Sequence, residues 1–415
     1  MKNPFLYIVF ILLTGLLFVS CDDDDTVTEP AQPPVTTPAQ LTAALEQIHT
    51  SSDAPGFAVS VVKEDVLLYQ ESFGKADIAA DRAYTNQTTQ PIGSISKTFV
   101  AAAILKAIGQ GHFTLDTDIN DILPLEVTNP NHPNAIIRVR HLVTHTSGLI
   151  DNDEAYLQAY HILPGEDLST PGAQLLQNAF GAEQRRTYPL EDFLAAYYLP
   201  EGDLYNLDNF AATPPGAAWN YSNIATSLAA YLVEAATDTP FSEYVTENIL
   251  QPLGMNQTSY SVADLDPTQS AKLYWDKATS LPTYANESYP DGSLNTSNED
   301  LALYLMDMMR GASGASTALF STNEYDMLFN AQLATGMVPP NVGENQGLLW
   351  FLVGNIIRHD GSDPGTTCNM EFLTNGGAGY LLLTNMDAST ENHGTAYSEL
   401  ATRVDDAVSE FIRAN

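Results

Sequence analysis

Short runs of β-branched and apolar residues predict strands at both ends of the chain. Gly56-Phe-Ala-Val-Ser-Val-Val and Val66-Leu-Leu-Tyr-Gln meet at Lys63-Glu64-Asp65, as the two arms of a hairpin do. Three further segments near the other end are separated by Gly, Pro and Asp turns: Leu348–Arg358, Cys368–Thr374 and Gly379–Asn385. Strands so far apart in the sequence predict one antiparallel sheet to which both ends of the chain contribute.

Most of the remaining chain has apolar residues at helical spacing. Such spacing follows Ser94 and stops at Gly109 and Gly111, so we expect Ser94 to lie where a loop enters a buried helix. Other helices are predicted at Thr42–Ile48, Leu190–Tyr198, Ala225–Ala236 and Thr395–Ala414. The pattern has no fixed repeat, which disfavours a solenoid or propeller. We therefore expect an α/β (α+β) fold, with an antiparallel sheet flanked by helices and carrying a helical subdomain.

The first 20 residues have the layout of a secretory signal. Lys2 precedes an apolar run from Phe5 to Val19, which is too short for a comfortable membrane span. Ser20 before Cys21 resembles the cleavage box of bacterial lipoproteins, and we expect Cys21 to be the lipidated N-terminus of an exported protein, in the periplasm or at the cell surface. The alternative is an ordinary cleaved signal with an incidental cysteine.

Residues 21–40 are acidic and then rich in Pro and Thr, so we expect a flexible tether and a folded domain at residues 41–415. The 415-residue chain is 44% hydrophobic, enough for one enzyme-sized unit. Its 16 Lys and Arg against 51 Asp and Glu give a formal charge of -35, which makes nucleic acid an unfavourable partner. With Cys21 and Cys368 the only cysteines, we expect no disulfide in the mature domain, and we expect a monomer.

Ser94-Ile-Ser-Lys97 is the first candidate for chemistry. A serine and a lysine three apart on the first turn of a helix share a face, so the lysine nitrogen can reach the hydroxyl and accept its proton. The N-terminus of the helix would favour negative charge developing there. Taken alone, the spacing is a weak signal, because a helix cap followed by a surface lysine also produces it by chance.

Two later segments carry the other candidates. Tyr221-Ser-Asn223 offers a phenol that can ionise beside a cation and an amide that can hold a substrate carbonyl. His359-Asp360-Gly361-Ser362 ends a predicted strand, where Gly361 permits close approach and the next N–H can point at an oxyanion. Individually, a tyrosine such as Tyr221 is more often a core aromatic, and a histidine such as His359 is more often a surface residue.

The order of these three motifs resembles that of the serine β-lactamase and penicillin-binding protein family, especially the class C enzymes, the D-alanyl-D-alanine carboxypeptidases and related esterases. The resemblance runs from about Leu41 to the C-terminus and extends beyond the motifs. The segments that carry it are Pro91–Leu105, Arg140–Leu149, Pro215-Gly216, Ser293–Ala302 and Gly379–Asn385. It implies an α/β sandwich with an all-helical subdomain, here at about residues 120–290.

The resemblance also implies the role of each candidate residue. Ser94 would be the acylated nucleophile, Lys97 its proton acceptor, and Tyr221 the acid or base for the leaving group and for water. Asn223 would orient the acyl amide, and the backbone N–H groups of Ser94 and Ser362 would form the oxyanion hole. His359 would line the site where the family often has Lys. No metal or cofactor is expected, because His141 and His145 lack the glutamate of a zinc-protease motif.

Two departures from the family pattern bear on the substrate. The segment Asp151–Tyr205 is long and acidic and would fall beside the cleft, so we expect specificity to reside there. Asp360 stands where relatives present an uncharged residue to the substrate carboxylate, and its charge would repel such substrates unless Arg358 on the same face neutralised it.

These departures rank the possible functions. An esterase or amidase comes first, a D,D-peptidase second and a true β-lactamase third, all acting on small-molecule ester, amide or D-amino-acid peptide substrates. A non-catalytic penicillin or cell-wall sensor is the alternative from a different class, although an intact Ser94, Lys97 and Tyr221 argues against it.

Overall fold

A computed structural model describes residues 34–415. The predicted signal, Cys21 and most of the predicted tether lie outside the described residues. The helices are α1 (Pro38–Ser51), α2 (Ser96–Gly109), α3 (Val139–Val143), α4 (Asp153–Tyr156), α5 (Pro171–Phe180), α6 (Leu190–Tyr198), α7 (Asn223–Thr237), α8 (Phe241–Val245), α9 (Gln251–Leu253), α10 (Asn298–Ala312), α11 (Thr322–Phe329) and α12 (Glu391–Ala414). No helix among these residues is both long and apolar enough to cross a membrane.

The strands are β1 (Gly56–Lys63), β2 (Val66–Asp77), β3 (Arg82–Ala83), β4 (Gln90–Pro91), β5 (Tyr160–Ile162), β6 (Glu183–Gln184), β7 (Tyr274–Asp276), β8 (Thr279–Ser280), β9 (Tyr284–Asn286), β10 (Asn295–Thr296), β11 (Asn345–Gln346), β12 (Phe351–Val353), β13 (Ile356–Asp363), β14 (Thr366–Leu373) and β15 (Ala378–Thr384).

Eight of these strands form the main sheet, in the order β11-β12-β13-β14-β15-β1-β2-β3. The N-terminal hairpin joins the C-terminal strands where β1 pairs antiparallel with β15, and every other pairing in this sheet is also antiparallel. The expected antiparallel sheet built from both ends of the chain is therefore confirmed. Glu64 and Asp65 make the β1–β2 turn with φ of 48° and 65°, a geometry that a two-residue hairpin turn requires.

The sheet is covered on both faces. One face, which includes Val59 and Leu382, packs against α1 and α12. The other face, which includes Leu381 and Leu383, packs against α2 and the helices around it. Because residues in register across antiparallel strands share a face, this division assigns a side to every side chain of the sheet.

Helix α2 lies at the centre of the molecule, and residues 96–105 of it are all buried. The predicted buried helix after Ser94 is present, but Ser94 itself lies in a 3₁₀ turn, Gly93–Ile95, that precedes α2. The folded part also begins earlier than the predicted Leu41. Thr37 caps α1 by accepting a hydrogen bond from the Gln40 backbone, and Val35 is buried.

Residues 120–290 hold seven of the twelve described helices, α3 to α9, but also five short strands and long connections, so the region is not all-helical as the resemblance implies. β5 lies between β6 and β9 in a small sheet, and β7 and β8 form a hairpin. The aromatic rings of Tyr160 and Tyr284, at the β5–β9 pair, pack 6.1 Å apart. These Tyr-containing segments are too short to register as strands from sequence, and their pairing with each other supplies the backbone hydrogen bonds that isolated segments would lack.

Candidate active site

Ser94 and Lys97 meet as the motif predicts. The Nζ of Lys97 lies 2.9 Å from the Oγ of Ser94 and donates a second hydrogen bond, of 2.6 Å, to the backbone carbonyl of Asp291. Lys97 has no exposed surface. A buried lysine that reaches the hydroxyl and is held from the opposite side has the geometry needed to take a proton from Ser94.

Tyr221 completes this arrangement from the loop before α7. Its hydroxyl hydrogen-bonds with Ser94, and the Nζ of Lys97 lies 5.1 Å from the centre of its ring. The ring also packs 4.6 Å from that of His145, whose Nδ1 accepts the backbone N–H of Ser222 at 3.3 Å. Lys97 and Tyr221, from two distant segments, thus both reach the hydroxyl of Ser94.

The protonation tendencies of Lys97 and Tyr221 are complementary. Burial lowers the pKa of Lys97, although the carboxylates of Asp291 and other acids oppose that effect. Burial raises the pKa of Tyr221 well above its usual value, and the hydrogen bond with Ser94 only partly offsets this. Lys97 is therefore the better proton acceptor, while Tyr221 remains a neutral phenol that can donate.

β13 lies directly against the turn that carries Ser94. A Cβ on Gly361 would lie 2.0 Å from the carbonyl oxygen of Ile92 and 2.9 Å from the Ser94 nitrogen. A Cβ on Gly93 would lie 2.5 Å from the nitrogen of Ser362. Only glycine permits this approach at Gly361, and it brings the backbone of Ser362 beside the start of α2, where the sequence predicts the oxyanion hole.

His359 lies on the same face of the sheet as Ser94. It is in register with Met370 and through it with Leu381, both of which contact the helical layer. Burial and the charge of Lys97 lower the pKa of His359 to about 3, so the ring is neutral at ordinary pH. Its Nδ1 lies 2.6 Å from the carbonyl of Asp360, and its Nε2 is buried without a partner among the described residues.

Asp360 lies on the other face of the sheet, contrary to the expectation that its side chain meets the substrate. It is in register with Asn369 and through it with Leu382, which packs against α1 and α12. The strand alternates, so Gly361 faces Ser94 while Asp360 and Arg358 face away from it. The expected proximity to Arg358 is present, at 4.0 Å. The side chain of Ser362 lies on this far face too, in register with Thr367, which leaves only its backbone near the site.

Asn223 begins α7, and its side chain is engaged by an acid that the sequence analysis did not single out. Asp151 accepts hydrogen bonds from the backbone and side-chain nitrogens of Asn223, both at 2.8 Å, and from the backbone of Ile224 at 3.0 Å. The Oγ of Ser222 adds a fourth, at 3.1 Å. Burial raises the pKa of Asp151 to about 6, although the hydrogen bonds from these N–H groups act to lower it. Asp151 thereby fixes the loop that presents Tyr221.

Two more buried acids border the site. The carboxylate of Asp291 accepts hydrogen bonds from the hydroxyls of Tyr156, Ser227 and Ser288. The carboxylate of Asp363, which follows Ser362, accepts a 2.7 Å hydrogen bond from Tyr160. Burial raises the pKa of both acids, to about 7 for Asp363.

The long segment that begins at Asp151 therefore contacts the site at three points. Asp151 holds the Tyr221 loop, Tyr156 holds Asp291, and Tyr160 holds Asp363. The segment Asp151–Tyr205 was expected beside the cleft, but none of these five residues was predicted individually. Asp363 directly follows Ser362, and Asp291 lies two residues before the segment Ser293–Ala302. Sequence gives no signal for their burial, which depends on how distant segments pack.

His141 and His145 accept hydrogen bonds from backbone N–H groups in the described structure. The Nδ1 of His141 accepts the N–H of Arg138 at 3.1 Å, and that of His145 accepts the N–H of Ser222. Burial lowers the pKa of both rings, to about 4 for His141. Within residues 34–415, no three His, Cys, Asp or Glu side chains are grouped as metal ligands.

Comparison with known proteins shows what this chain is similar to. The family model described as Beta-lactamase matches residues 41–402. Esterase EstB of Burkholderia gladioli is 28% identical over 245 residues, which is 57% of this chain and 55% of that protein. Penicillin-binding protein 4* of Bacillus subtilis is 23% identical over 78% of this chain and 67% of its own length.

Two further proteins are similar to this chain, one in sequence and one in structure. Protein flp of Staphylococcus aureus is 22% identical over 63% of this chain and 47% of that protein, so the matched region spans about half the length of EstB and flp. The structure of the octameric penicillin-binding protein homologue from Pyrococcus abyssi covers 88% of this chain and 76% of its own, with a TM-score of 0.67 and 22% identity. At that identity it supports the fold alone.

Proposed function

Because the chain belongs to the Beta-lactamase family, we propose that it is a serine hydrolase that forms an acyl-enzyme on Ser94, with esters or amides as substrates. The observation that carries the proposal is the position of the Lys97 nitrogen, 2.9 Å from the Ser94 oxygen and shielded from solvent. The similarity to an esterase supports the choice of substrate class.

In the proposed acylation, every proton passes between groups of the site and the substrate. As the Oγ of Ser94 bonds to the substrate carbonyl carbon, its proton passes to a neutral Lys97. The oxyanion is held by the backbone N–H groups of Ser94 and Ser362, a contact typically worth about 3 kcal/mol per donor. When the carbonyl bond to the leaving group breaks, Tyr221 donates its proton to that group and recovers one from Lys97.

Hydrolysis of the acyl-enzyme reverses these roles. A water molecule gives a proton to the basic group of the Lys97–Tyr221 pair as its oxygen attacks the acyl carbon. Ser94 leaves with a proton, and the acid product is released. The lowered pKa of Lys97 suits it to accept protons, and the raised pKa of Tyr221 suits it to donate them.

The test is covalent labelling of wild-type protein, Ser94→Ala and Ser96→Ala with a fluorophosphonate and a labelled penicillin, read by intact mass. Ser96 is the matched control, since its buried Oγ accepts the Leu294 N–H and lies two residues away. Label on the wild type and on Ser96→Ala but not on Ser94→Ala supports the proposal. Label that persists in Ser94→Ala would refute it.

D,D-peptidase activity is the second candidate, because the match to a penicillin-binding protein extends over most of this chain. The placement of Asp360 on the far face also removes that residue as an obstacle to anionic substrates. Turnover of short-chain esters against D-alanyl-D-alanine peptides separates the two candidates. Labelling without any turnover would instead favour a sensor.

We also propose that the protein is exported and held at a membrane by lipid on Cys21, acting as a monomer on small molecules. The basis is the signal pattern of residues 1–21. Full-length protein made in a diderm bacterium should partition into detergent, and Cys21→Ser should move it to the aqueous phase. Equal partitioning of the two would contradict lipidation.

A further inference from the structure

The side chain of Asp291 has no role in the acylation chemistry described above, although the backbone carbonyl of the same residue holds Lys97. Asp291 ends a 3₁₀ turn and is 2% exposed. Its carboxylate accepts hydrogen bonds from the hydroxyls of Tyr156, Ser227 and Ser288. An ionised carboxylate can only accept hydrogen bonds, so a ring of hydroxyl donors suits the charged form of this side chain.

The backbone carbonyl of Asp291 fixes one N–H of Lys97. The Nζ of Lys97 lies 2.6 Å from that carbonyl oxygen and 2.9 Å from the Oγ of Ser94. A neutral amine has two N–H bonds and one lone pair, so an N–H held by the carbonyl leaves the lone pair free to turn towards Ser94. Two of the hydroxyls around the carboxylate belong to Tyr156 of α4 and Ser227 of α7, which anchor the turn to two helices.

The carboxylate of Asp291 also acts on Lys97 through its charge. Lys97 has no exposed surface, and burial lowers its pKa. Among the acids that oppose this effect of burial, Asp291 has the largest influence. Burial raises the pKa of Asp291 in turn, and the charge of Lys97 opposes that rise. Each of the two groups therefore favours the ionised form of the other.

The other titratable groups around Lys97 have a weaker influence on it. They are Asp151, Asp363, Asp360, Tyr221, His145 and His359. The three acids have neighbours of their own, which are N–H groups at the start of α7, a tyrosine hydroxyl and an arginine, in that order. Burial lowers the pKa of both histidines and raises that of the tyrosine, so all three are uncharged near neutral pH. Asp291 is thus the acid whose charge most affects Lys97.

We propose that Asp291 is a positioning residue whose carboxylate sets the lower end of the pH range in which Ser94 is acylated, because its charge favours the protonated form of Lys97. Ser94 can pass its proton only to a neutral Lys97. A charge that keeps Lys97 protonated up to a higher pH therefore suppresses acylation in acid. The inference rests on the proposed acylation of Ser94 and adds its regulation by pH. Asp291 would act only through Lys97.

The test follows the rate at which a fluorophosphonate labels Ser94, between about pH 5 and 9, in the wild type and in Asp291→Asn. In this reaction the Oγ of Ser94 bonds to phosphorus, fluoride leaves, and the proton of Ser94 passes to Lys97. The leaving group needs no proton from Tyr221. Asparagine keeps the size of the side chain and removes its charge. We expect the wild-type rate to rise with pH to a plateau, and the midpoint of the rise to lie lower by about one pH unit or more in Asp291→Asn.

Asp307→Asn is the matched control. Asp307 is also a buried aspartate, 6% exposed, and it accepts a hydrogen bond from the hydroxyl of Tyr325, but it is not among the acids that act on Lys97. Its variant should have the midpoint of the wild type. A purely structural role of Asp291 would lower the labelling rate of Asp291→Asn at every pH and leave its midpoint in place, and that result would overturn the inference.

Two further results keep the inference separate from folding and from the proposed function. If Asp291→Asn does not fold, the wild-type profile decides, because buried lysines become neutral at about pH 5–6 where no acid opposes the effect of burial. A wild-type midpoint below about pH 6 would overturn the inference, and a higher one supports it. If Ser94 of the wild type is not labelled at any pH, the proposed function fails, and this inference with it. Labelling of Ser94 with an unmoved midpoint in Asp291→Asn leaves the proposed function standing and removes only this inference.

Discussion

Tyr156 donates its phenolic hydrogen bond to both carboxylate oxygens of Asp291, at 3.0 and 3.1 Å, while the backbone of Asp291 holds Lys97. A residue of the long segment thus acts on the candidate base through one buried acid. The segment therefore stabilises the position of Lys97 through Asp291.

Tyr156→Phe should destabilise the protein by about 2 kcal/mol, because it removes a donor from a buried charged acceptor. Urea unfolding of the variant measures this loss. Tyr188→Phe is the matched control, since Tyr188 lies in the same segment and is 58% exposed, and it should unfold like the wild type. Equal loss in both variants would mean that the hydroxyl of Tyr156 is not the cause.

Lys97→Ala and Tyr221→Phe should differ in how they depend on the leaving group. Lys97 takes the proton of Ser94 in every acylation, so Lys97→Ala should lower acylation by orders of magnitude for all substrates. Tyr221 protonates the leaving group, so Tyr221→Phe should cost far more for ethyl esters than for p-nitrophenyl esters, whose leaving group needs no proton. Stopped-flow acylation rates on both esters provide the measurement. A uniform effect of Tyr221→Phe would assign it another role.

Gly361→Ala should abolish acylation and lower the melting temperature, because its Cβ would lie 2.0 Å from the carbonyl oxygen of Ile92. The strand would have to move away from the turn that carries Ser94. Gly292→Ala is the matched control beside the same site, since a Cβ there meets no atom within 4 Å and the φ of -153° lies outside the left-handed region that favours glycine. Fluorophosphonate labelling and thermal unfolding of both variants decide the point, and normal labelling of Gly361→Ala would contradict the close approach.

Asp360→Thr should leave the selectivity between anionic and neutral acyl donors within about twofold of the wild type. The side chain lies on the α12 face, and the sheet separates it from the substrate. We expect a lower melting temperature instead, since Arg358 loses the carboxylate 4.0 Å away. The ratio of kcat/KM values at low and moderate salt tests this. A rise in the anionic ratio with Asp360→Thr would restore the expectation from sequence.

Glu371→Gln should stabilise the protein at neutral pH. Burial, with the nearby charge of Asp405, raises the pKa of Glu371 from 4.5 to about 7 in the folded state. The folded state therefore favours the protonated acid, and this contribution to stability is complete below pH 4.5 and lost as the pH rises through 7.

Urea unfolding of Glu371→Gln and wild type between pH 4.5 and 8 checks the sign. The two should be alike at the acidic end, and the variant should become the more stable as the pH rises. Glu399→Gln, an exposed position on α12, should show no such divergence. A variant that is less stable than the wild type at pH 8 would show that the ionised carboxylate is favourable in the fold.

Much of the architecture was predictable because it follows from local periodicity. β1, α6, β14 and β15 have patterns that span whole elements, and the structure places them within a few residues of the expected bounds. The expected strand Leu348–Arg358 is instead divided between β12 and β13 by a turn at Gly354, and β2 continues to Asp77. β5 and β9 were not predicted, because two or three paired residues leave no periodic signal. Their existence depends on the segments they pair with.

The sequence by itself determined the members of the reactive group, since Ser94 and Lys97 are three residues apart on one turn and the motif around Tyr221 has a fixed order along the chain. It also determined that Asp360 and Arg358 share a face, which is a local property of a strand. Only the tertiary structure decided which face that is, because the face depends on the layer against which β13 packs. The same holds for Asp151, Asp291 and Asp363, whose hydrogen-bond partners come from segments 72, 135 and 203 residues away. Burial among such segments is what alters the pKa of an acid.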